Sequence, residues 1–119
     1  MPETKTYTGG CHCGQVRFDV KMDLGHVTAC NCSICSKMGW LLAFVPTEQF
    51  HLRSGEEVLT DYQFGKKTIH HLFCSRCGIN SFSRGKTPKG GEMIAVNTRC
   101  LEGLDPNSLT VNRFDGKSL

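Results

Sequence analysis

The stretch Phe73-Cys74-Ser75-Arg76-Cys77-Gly78, with its counterpart Gly10-Cys11-His12-Cys13-Gly14, decides how this chain folds. In each stretch two cysteines stand one or two residues apart before a glycine, which can adopt the positive φ that tight turns often require. A disulfide between such close neighbours would be strained, whereas their sulfurs can converge on one zinc ion, which takes four ligands in a tetrahedron. The two stretches therefore predict one closed zinc site of structural type. Its ligands, called the four-cysteine cluster below, are Cys11, Cys13, Cys74 and Cys77.

A second group of cysteines lies within six residues, and no fourth cysteine stands beside it. Three protein ligands with one open position are typical of a catalytic zinc site, where water or substrate completes the coordination. We therefore predict a second zinc ion, catalytic or exchangeable, at the three-cysteine cluster formed by Cys30, Cys32 and Cys35. The alternative is a structural site that a further protein ligand closes, such as a histidine or Cys100. A lone cysteine is otherwise more often a small buried hydrophobe than a ligand.

The size and composition of the chain favour metal binding over disulfides for its eight cysteines. A chain of 119 residues with 39% hydrophobic residues suits one domain, which we expect to cover residues 1–119 and to need a staple for its modest core. The polar residues 1–8 carry no apolar signal segment, and no stretch has the roughly 20 apolar residues of a membrane span. We therefore expect a cytoplasmic protein without a membrane partner, whose thiols stay reduced.

The charge distribution gives little reason to expect a nucleic-acid partner. The formal net charge is +3 with neutral thiols, but seven thiolates on two zinc ions would bring it to zero. Lysine and arginine are scattered, without the basic run or patch that nucleic-acid binding proteins present to phosphates. We therefore expect no nucleic-acid partner.

Short apolar segments between turn signals predict a mainly β fold. Residues 16–20 alternate apolar and polar side chains, and residues 41–45 form an apolar run of strand length that ends at Pro46. Glycine, asparagine and proline separate further predicted strands at 50–53, 58–62, 68–73, 93–97 and 109–113. Helix is expected only in short pieces, at 46–50 and from Ser33 onward. The pattern is typical of a β-sandwich or a barrel-like domain.

Three cysteine motifs follow one another in a specific order. They are Gly10-Cys11-His12-Cys13-Gly14-Gln15-Val16-Arg17-Phe18, Cys30-Asn31-Cys32-Ser33-Ile34-Cys35 and Phe73-Cys74-Ser75-Arg76-Cys77-Gly78. Over a span from Gly10 to about Leu101 the chain resembles the glutathione-dependent formaldehyde-activating enzyme family, which also includes centromere protein V. His71 and the stretch Val96-Asn97-Thr98-Arg99-Cys100-Leu101 resemble the centromere protein V branch more closely.

The resemblance implies a fold, a set of ligands and an activity. The fold is Mss4-like, with twisted antiparallel sheets stapled by zinc. Structural zinc is assigned to the four-cysteine cluster and catalytic zinc to the three-cysteine cluster, which is the partition that the spacing predicts. The implied activity is that of a carbon–sulfur lyase, which forms or cleaves S-hydroxymethylglutathione, so that the partners are a small thiol such as glutathione and an aldehyde. The alternative is a zinc-stabilised interaction module without chemistry, as the likeness to centromere protein V allows.

Several residues near the clusters are candidates for a part in such chemistry. A zinc ion with three thiolate ligands is a weak Lewis acid, so we expect it to bind the substrate thiol and lower its pKa, provided that positive charge nearby offsets the ligands. Lys37, or the N–H groups of a helix beginning near Ser33, could supply that offset. Of the adjacent strand residues His70 and His71, at most one faces the site, as an acid–base group or a donor to a sulfur.

Two further features have both a functional and a structural interpretation. The basic, glycine-rich stretch 83–91 could clamp the two carboxylates of glutathione as a mobile lid, or it could be an ordinary hairpin connection. Trp40 and Phe44 could line a pocket next to the three-cysteine cluster, or they could pack in the core.

Overall fold

The protein, described here from a computed structural model, consists mainly of short β-strands. The structure describes residues 4–64, 69–86 and 90–118. In chain order, the strands in these residues are β1 (Lys5–Gly10), β2 (Arg17–Met22), β3 (Val27–Cys30), β4 (Leu42–Pro46), β5 (Phe50–Ser54), β6 (Leu59–Tyr62), β7 (His70–Cys74), β8 (Phe82–Lys86), β9 (Glu92–Asn97) and β10 (Val111–Phe114). The same residues contain one α-helical turn, α1 (Cys35–Met38), and 3₁₀ turns at Thr47–Gln49, Glu56–Val58, Thr98–Cys100, Pro106–Ser108 and Gly116–Ser118. None of these described helices has the length and apolarity needed to cross a membrane.

The strands of the described residues form two sheets. One has three strands in the order β1-β2-β5, and the other has seven in the order β10-β3-β4-β9-β8-β7-β6. Neighbouring strands in this part of the chain run antiparallel, except that β10 lies parallel to β3 with Val111 beside Val27. The predicted mainly β fold with short helical turns is confirmed. The pairing of β3 with β10 adds a parallel element to otherwise antiparallel sheets.

The core lies between the two sheets and centres on three phenylalanine rings. Phe18 of β2 lies 5.1 Å from Phe50 of β5 between ring centroids, and Phe50 lies 4.6 Å from Phe82 of β8. Every second residue of β2 is buried, as expected for a strand with one face on the core. Cys11 and Cys74 belong to the same buried cluster of side chains. The four-cysteine cluster therefore adjoins the main core.

The structure corrects three details of the sequence-based prediction. The predicted loop at 83–91 is wrong for its first residues, because residues 83–86 belong to β8, which pairs with β7 on one side and β9 on the other. These pairings outweigh the weak strand preference of serine and glycine. The remainder of that stretch includes residues 87–89, which lie outside the described residues. In addition, β1 was not predicted, and the helix begins at Cys35, two residues after Ser33.

Candidate metal centre

The four predicted cysteines of the first cluster lie together, although they come from distant parts of the chain. The sulfur of Cys13 lies 3.6 Å from the sulfurs of both Cys11 and Cys74, and all four sulfurs lie within 4.8 Å of one another. Sulfurs on a tetrahedral zinc ion, each at about 2.3 Å from the metal, would lie about 3.8 Å apart. The donor set and its spacing therefore fit a zinc ion.

Two glycine-ended turns bring these sulfurs together. Cys11 and Cys13 lie in the turn between β1 and β2, where the N–H of Gly14 donates to the carbonyl of Cys11 at 3.3 Å. Cys74 ends β7, and the N–H of Gly78 donates to its carbonyl at 2.8 Å. Gly14 and Gly78 have φ of 85° and 80°, a region that other residues enter only at a cost. The turns thus have the conformation that the glycine positions predicted.

Backbone N–H groups surround the four sulfurs, and the cysteines of this cluster differ in pKa. The N–H of Val16 donates to the sulfur of Cys11 at 3.3 Å. Burial opposes ionisation of Cys77, but hydrogen bonds from the backbone at Cys13 and Ile79 and the neighbouring sulfurs lower its pKa to about 6. The amide of Gln15 favours the Cys13 thiolate, yet burial and the same sulfurs raise the pKa of Cys13 to about 11. A bound divalent cation would relieve this mutual repulsion by stabilising all of the thiolates.

The three-cysteine cluster lies where β3 passes into α1, and its sulfurs also lie within 4.8 Å of one another. The N–H of Cys32 donates to the sulfur of Cys30 at 3.4 Å. Burial raises the pKa of Cys32, but hydrogen bonds from the backbone at Cys35 and Ile34 and from neighbouring thiols outweigh it and lower that pKa. The first turn of the short helix therefore aims N–H groups at a sulfur, which is one of the two sources of offsetting charge that the sequence analysis considered.

Cys35 is the most enclosed member of this cluster. Burial raises its pKa to about 12, the nearby polar group of Trp40 opposes the rise, and the sulfurs of Cys32 and Cys30 reinforce it. The indole N–H of Trp40 is buried and has no hydrogen-bond acceptor, sulfur included, among the described residues. Trp40 packs with Cys35 in the small core beside α1.

The C-terminal segment, residues 114–118, packs against the three-cysteine cluster. Asn31 fastens it: its side-chain amide donates to Asp115 at 2.9 Å, and its carbonyl oxygen accepts from the N–H of Lys117 at 2.9 Å. A Cβ placed on Gly116 would lie 2.7 Å from the sulfur of Cys30. Only a glycine lets the backbone pass this close to the sulfur. The sequence analysis missed both Asn31 and Gly116, since no spacing signal links them.

Two of the cavities near the cluster are lined by opposite faces of α1. One has a volume of about 470 Å³ and is lined by Cys30, Cys35 and Trp40, among others. The other, of about 510 Å³, is mainly aromatic and apolar and is lined by Lys37 and His71, without a cysteine. Lys37 was a candidate to offset the thiolate charge, but the structure places it in the second cavity.

The two histidines of β7 point to opposite faces, as predicted. His71 is buried, stacks against Trp40 with 6.0 Å between ring centroids, and has Ser83 Oγ 3.5 Å from its Nδ1. Burial lowers the pKa of His71. His70 is half-buried and pairs with Asp61 at 2.6 Å. His71 is thus the histidine that reaches toward the three-cysteine cluster, through Trp40.

Two other candidate residues are not part of either cluster. Cys100 belongs to neither sulfur group in the part of the chain that the structure describes, and its thiol faces the carbonyl of Asn80 at 3.9 Å. Burial raises the pKa of Cys100. Phe44 is exposed on β4 and lines a different cavity, with residues of β2 and β3. Of the predicted aromatic pair, only Trp40 lies at the three-cysteine cluster.

This geometry defines a small, mainly β protein with two cysteine clusters, each of which can hold a metal ion. The chain matches the family described as "Glutathione-dependent formaldehyde-activating enzyme" over residues 6–113, and it therefore belongs to that family. It is also similar to a Rhodobacter sphaeroides protein of known crystal structure, with 32% sequence identity and a TM-score of 0.77, over 88% of this chain and 99% of that one. The family resemblance seen in the cysteine motifs is confirmed.

Proposed function

We propose that the protein is a zinc-dependent carbon–sulfur lyase, which forms or cleaves the adduct of glutathione with formaldehyde. The observation that carries the proposal is the three-cysteine cluster, whose sulfurs converge without a fourth protein ligand among the described residues. Such a site leaves one coordination position to a substrate. Membership of a family described as glutathione-dependent formaldehyde-activating enzymes supports the choice of thiol and aldehyde.

Zinc at this cluster would lower the pKa of a thiol that joins the three sulfurs, so that a nucleophilic thiolate exists near neutral pH. The protein's own part is to hold the site and neutralise its charge. The N–H groups of Ile34 and Cys35 favour negative charge on Cys32. Asn31 and Gly116 keep the C-terminal segment against the cluster, which fixes the surroundings of Cys30.

The reaction is balanced without an oxidant or a reductant. In the forward direction the thiol sulfur bonds to the aldehyde carbon, the carbonyl electron pair moves to oxygen, and that oxygen takes up a proton. Cleavage reverses these steps and returns thiol and aldehyde. No histidine, aspartate or glutamate in the described residues lines the cavity at Cys30 and Cys35, so we assign the proton exchange to water. His71 acts, on this proposal, only as packing for Trp40.

The four-cysteine cluster has a structural part in the proposal. Its sulfurs come from two turns that carry Gly14 and Gly78, and two of its cysteines are buried in the core. Four protein ligands leave no position for a substrate. We therefore assign the first zinc ion to stability and the second, catalytic or exchangeable ion to the reaction.

The test is the rate at which zinc-loaded protein equilibrates glutathione, formaldehyde and their adduct, measured by NMR exchange against the spontaneous rate. We expect the protein to accelerate exchange, Cys32→Ser to lose at least about 100-fold of that acceleration, and metal content to fall from two ions to one. Cys100→Ser is the matched control and keeps both. A wild-type protein that carries two ions but never exceeds the spontaneous rate would refute the lyase proposal.

The alternative, a zinc-stabilised interaction module, makes a different prediction in the same experiment. Such a protein would carry both ions, show no acceleration, and have a second ion whose affinity is indifferent to glutathione. No contact in the described residues favours this alternative, and the family match points to the thiol and the aldehyde.

A further inference from the structure

The cavity beside Cys30 and Cys35 has features that the cysteine motifs do not explain. Its volume of about 470 Å³ lies within the range of small-molecule pockets, about 300–1,000 Å³. The end of α1, the 3₁₀ turn at Thr98–Cys100 and strand β10 enclose it together. Its lining combines two sulfurs of the cluster with two arginines, Arg99 and Arg113.

The two arginines form no ion pair with a carboxylate of the described residues. Elsewhere in these residues Arg17 pairs with Glu102, and Arg53 pairs with Asp19 at 2.5 Å. Within the described part of the chain, Arg99 and Arg113 have no such pair, and no carboxylate lines their cavity. Two unpaired guanidinium groups in a concave site are well suited to carboxylates, which each can bind through two parallel hydrogen bonds.

The backbone at both arginines is held in place. The parallel pairing of β10 with β3 sets Arg113 beside Ala29, one residue before Cys30. The N–H of Arg99 donates to the side chain of Asn97 at 3.2 Å, which caps the 3₁₀ turn. The two arginines therefore line the cavity that contains Cys30 and Cys35 from two different elements, the 3₁₀ turn and β10.

We propose that Arg99 and Arg113 bind the two carboxylates of the thiol substrate, so that the site selects dicarboxylate thiols. The inference rests on the proposed function for the site of the thiol sulfur, at the three-cysteine cluster. Glutathione, with one thiol and two carboxylates, has the chemistry that this cavity fits. The same positive charge offsets the three thiolates, a part that the sequence analysis had given to Lys37.

The experiment compares binding of three thiols to zinc-loaded protein by calorimetry: glutathione, its diethyl ester and mercaptosuccinate. We expect the two dicarboxylates to bind wild-type protein at least about tenfold more tightly than the ester. Arg99→Gln and Arg113→Gln each reduce that preference about fivefold, since both side chains are exposed, and the double variant abolishes it. Arg53→Gln is the matched control, because Arg53 pairs with Asp19 and does not line this cavity, and we expect it to leave the preference unchanged.

The outcomes separate this inference from the proposed function. A wild-type protein that binds ester and dicarboxylates equally, or a double variant that keeps the preference, overturns the carboxylate assignment even if exchange of glutathione with formaldehyde is catalysed. An arginine-dependent preference without catalysed exchange upholds the assignment and refutes the lyase. Zinc content, which we expect to stay at two ions in every variant, shows that a loss of binding does not come from a loss of the metal.

Discussion

The two cysteine clusters use the same ligand chemistry but are built in different ways. The four-cysteine cluster joins two turns, and Cys13 and Cys74, whose sulfurs lie 3.6 Å apart, are separated by 61 residues in the chain. The three-cysteine cluster lies within six residues and closes no long loop. A metal ion at the first cluster would crosslink the turn after β1 to the turn after β7, whereas an ion at the second constrains only a local turn.

The surroundings of the two clusters also differ, one being in the core and the other beside cavities. Cys11 and Cys74 are buried in the main core, and the four sulfurs of their cluster can fill all four coordination positions of one ion. At the other cluster, Cys30 and Cys35 line a cavity with unpaired arginines, and Cys32 lines a second cavity at the C-terminal segment. A cluster that crosslinks the fold is suited to stability, and a local cluster beside a charged cavity is suited to binding. The comparison therefore predicts that damage to the first cluster affects folding and damage to the second affects metal exchange.

The largest effect is expected from Cys74→Ser in the four-cysteine cluster. Cys74 is fully buried, so the substitution removes a ligand and places a hydroxyl in the core. We expect the free energy of unfolding to fall by about 4 kcal/mol or more, measured by urea denaturation, with loss of the first metal ion. Cys100→Ser, a cysteine outside both clusters, should cost no more than about 1 kcal/mol. Equal stability of the two variants would contradict a structural role for the four-cysteine cluster.

A smaller and more local effect is expected from Gly116→Ala. The new Cβ would lie 2.7 Å from the sulfur of Cys30, and backbone and sulfur cannot both stay in place. We expect the affinity for the second zinc ion, measured by competition with a chelator, to fall about tenfold, because outer contacts of ligands typically contribute 10–100-fold. The first ion and the unfolding transition stay unchanged. A tenfold loss at the first ion instead would contradict the separation of the two clusters.

The sequence was sufficient for the parts of the molecule that depend on local spacing. Cysteines one or two residues apart bring their sulfurs together locally, so the three-cysteine cluster and the two halves of the four-cysteine cluster could be predicted from the motifs. That the two halves meet across 61 residues was inferred from their similarity, and the fold brings them together. Strands with a clear alternation, such as β2, were also predictable, as was the mainly β class.

The features that the sequence did not reveal depend on contacts between distant elements. β8 is a strand because β7 and β9 lie on both sides of it, and its own serine and glycine residues do not signal that. Arg113 reaches the cluster only because β10 pairs in parallel with β3, and Gly116 only because Asn31 holds the C-terminal segment there. Lys37 follows Cys35 closely in sequence, yet it lines the cavity on the other side of α1. Proximity along the chain was therefore a poor guide to which charges meet the sulfurs.

The smallest effect is expected at His71, which connects the two cysteine clusters. It lies on β7, three residues before Cys74, and it stacks on Trp40, which contacts Cys35. Because burial lowers its pKa, the unfolded state binds a proton more readily than the folded state as pH falls. His71 therefore destabilises the wild-type protein as the pH falls below its unfolded-state pKa of about 6.5. At higher pH it has no such effect.

We expect His71→Phe to keep the ring packing and to remove this dependence. The free energy of unfolding of the variant, relative to wild type, should rise between pH 7 and pH 5 by at most about 1.4 kcal/mol per pH unit. Taking the difference cancels the protonation of the cysteines, which both proteins share. Parallel stability curves for wild type and His71→Phe would mean that His71 accepts its proton in the folded protein, and that the packing between the two clusters is looser than the stacked geometry indicates.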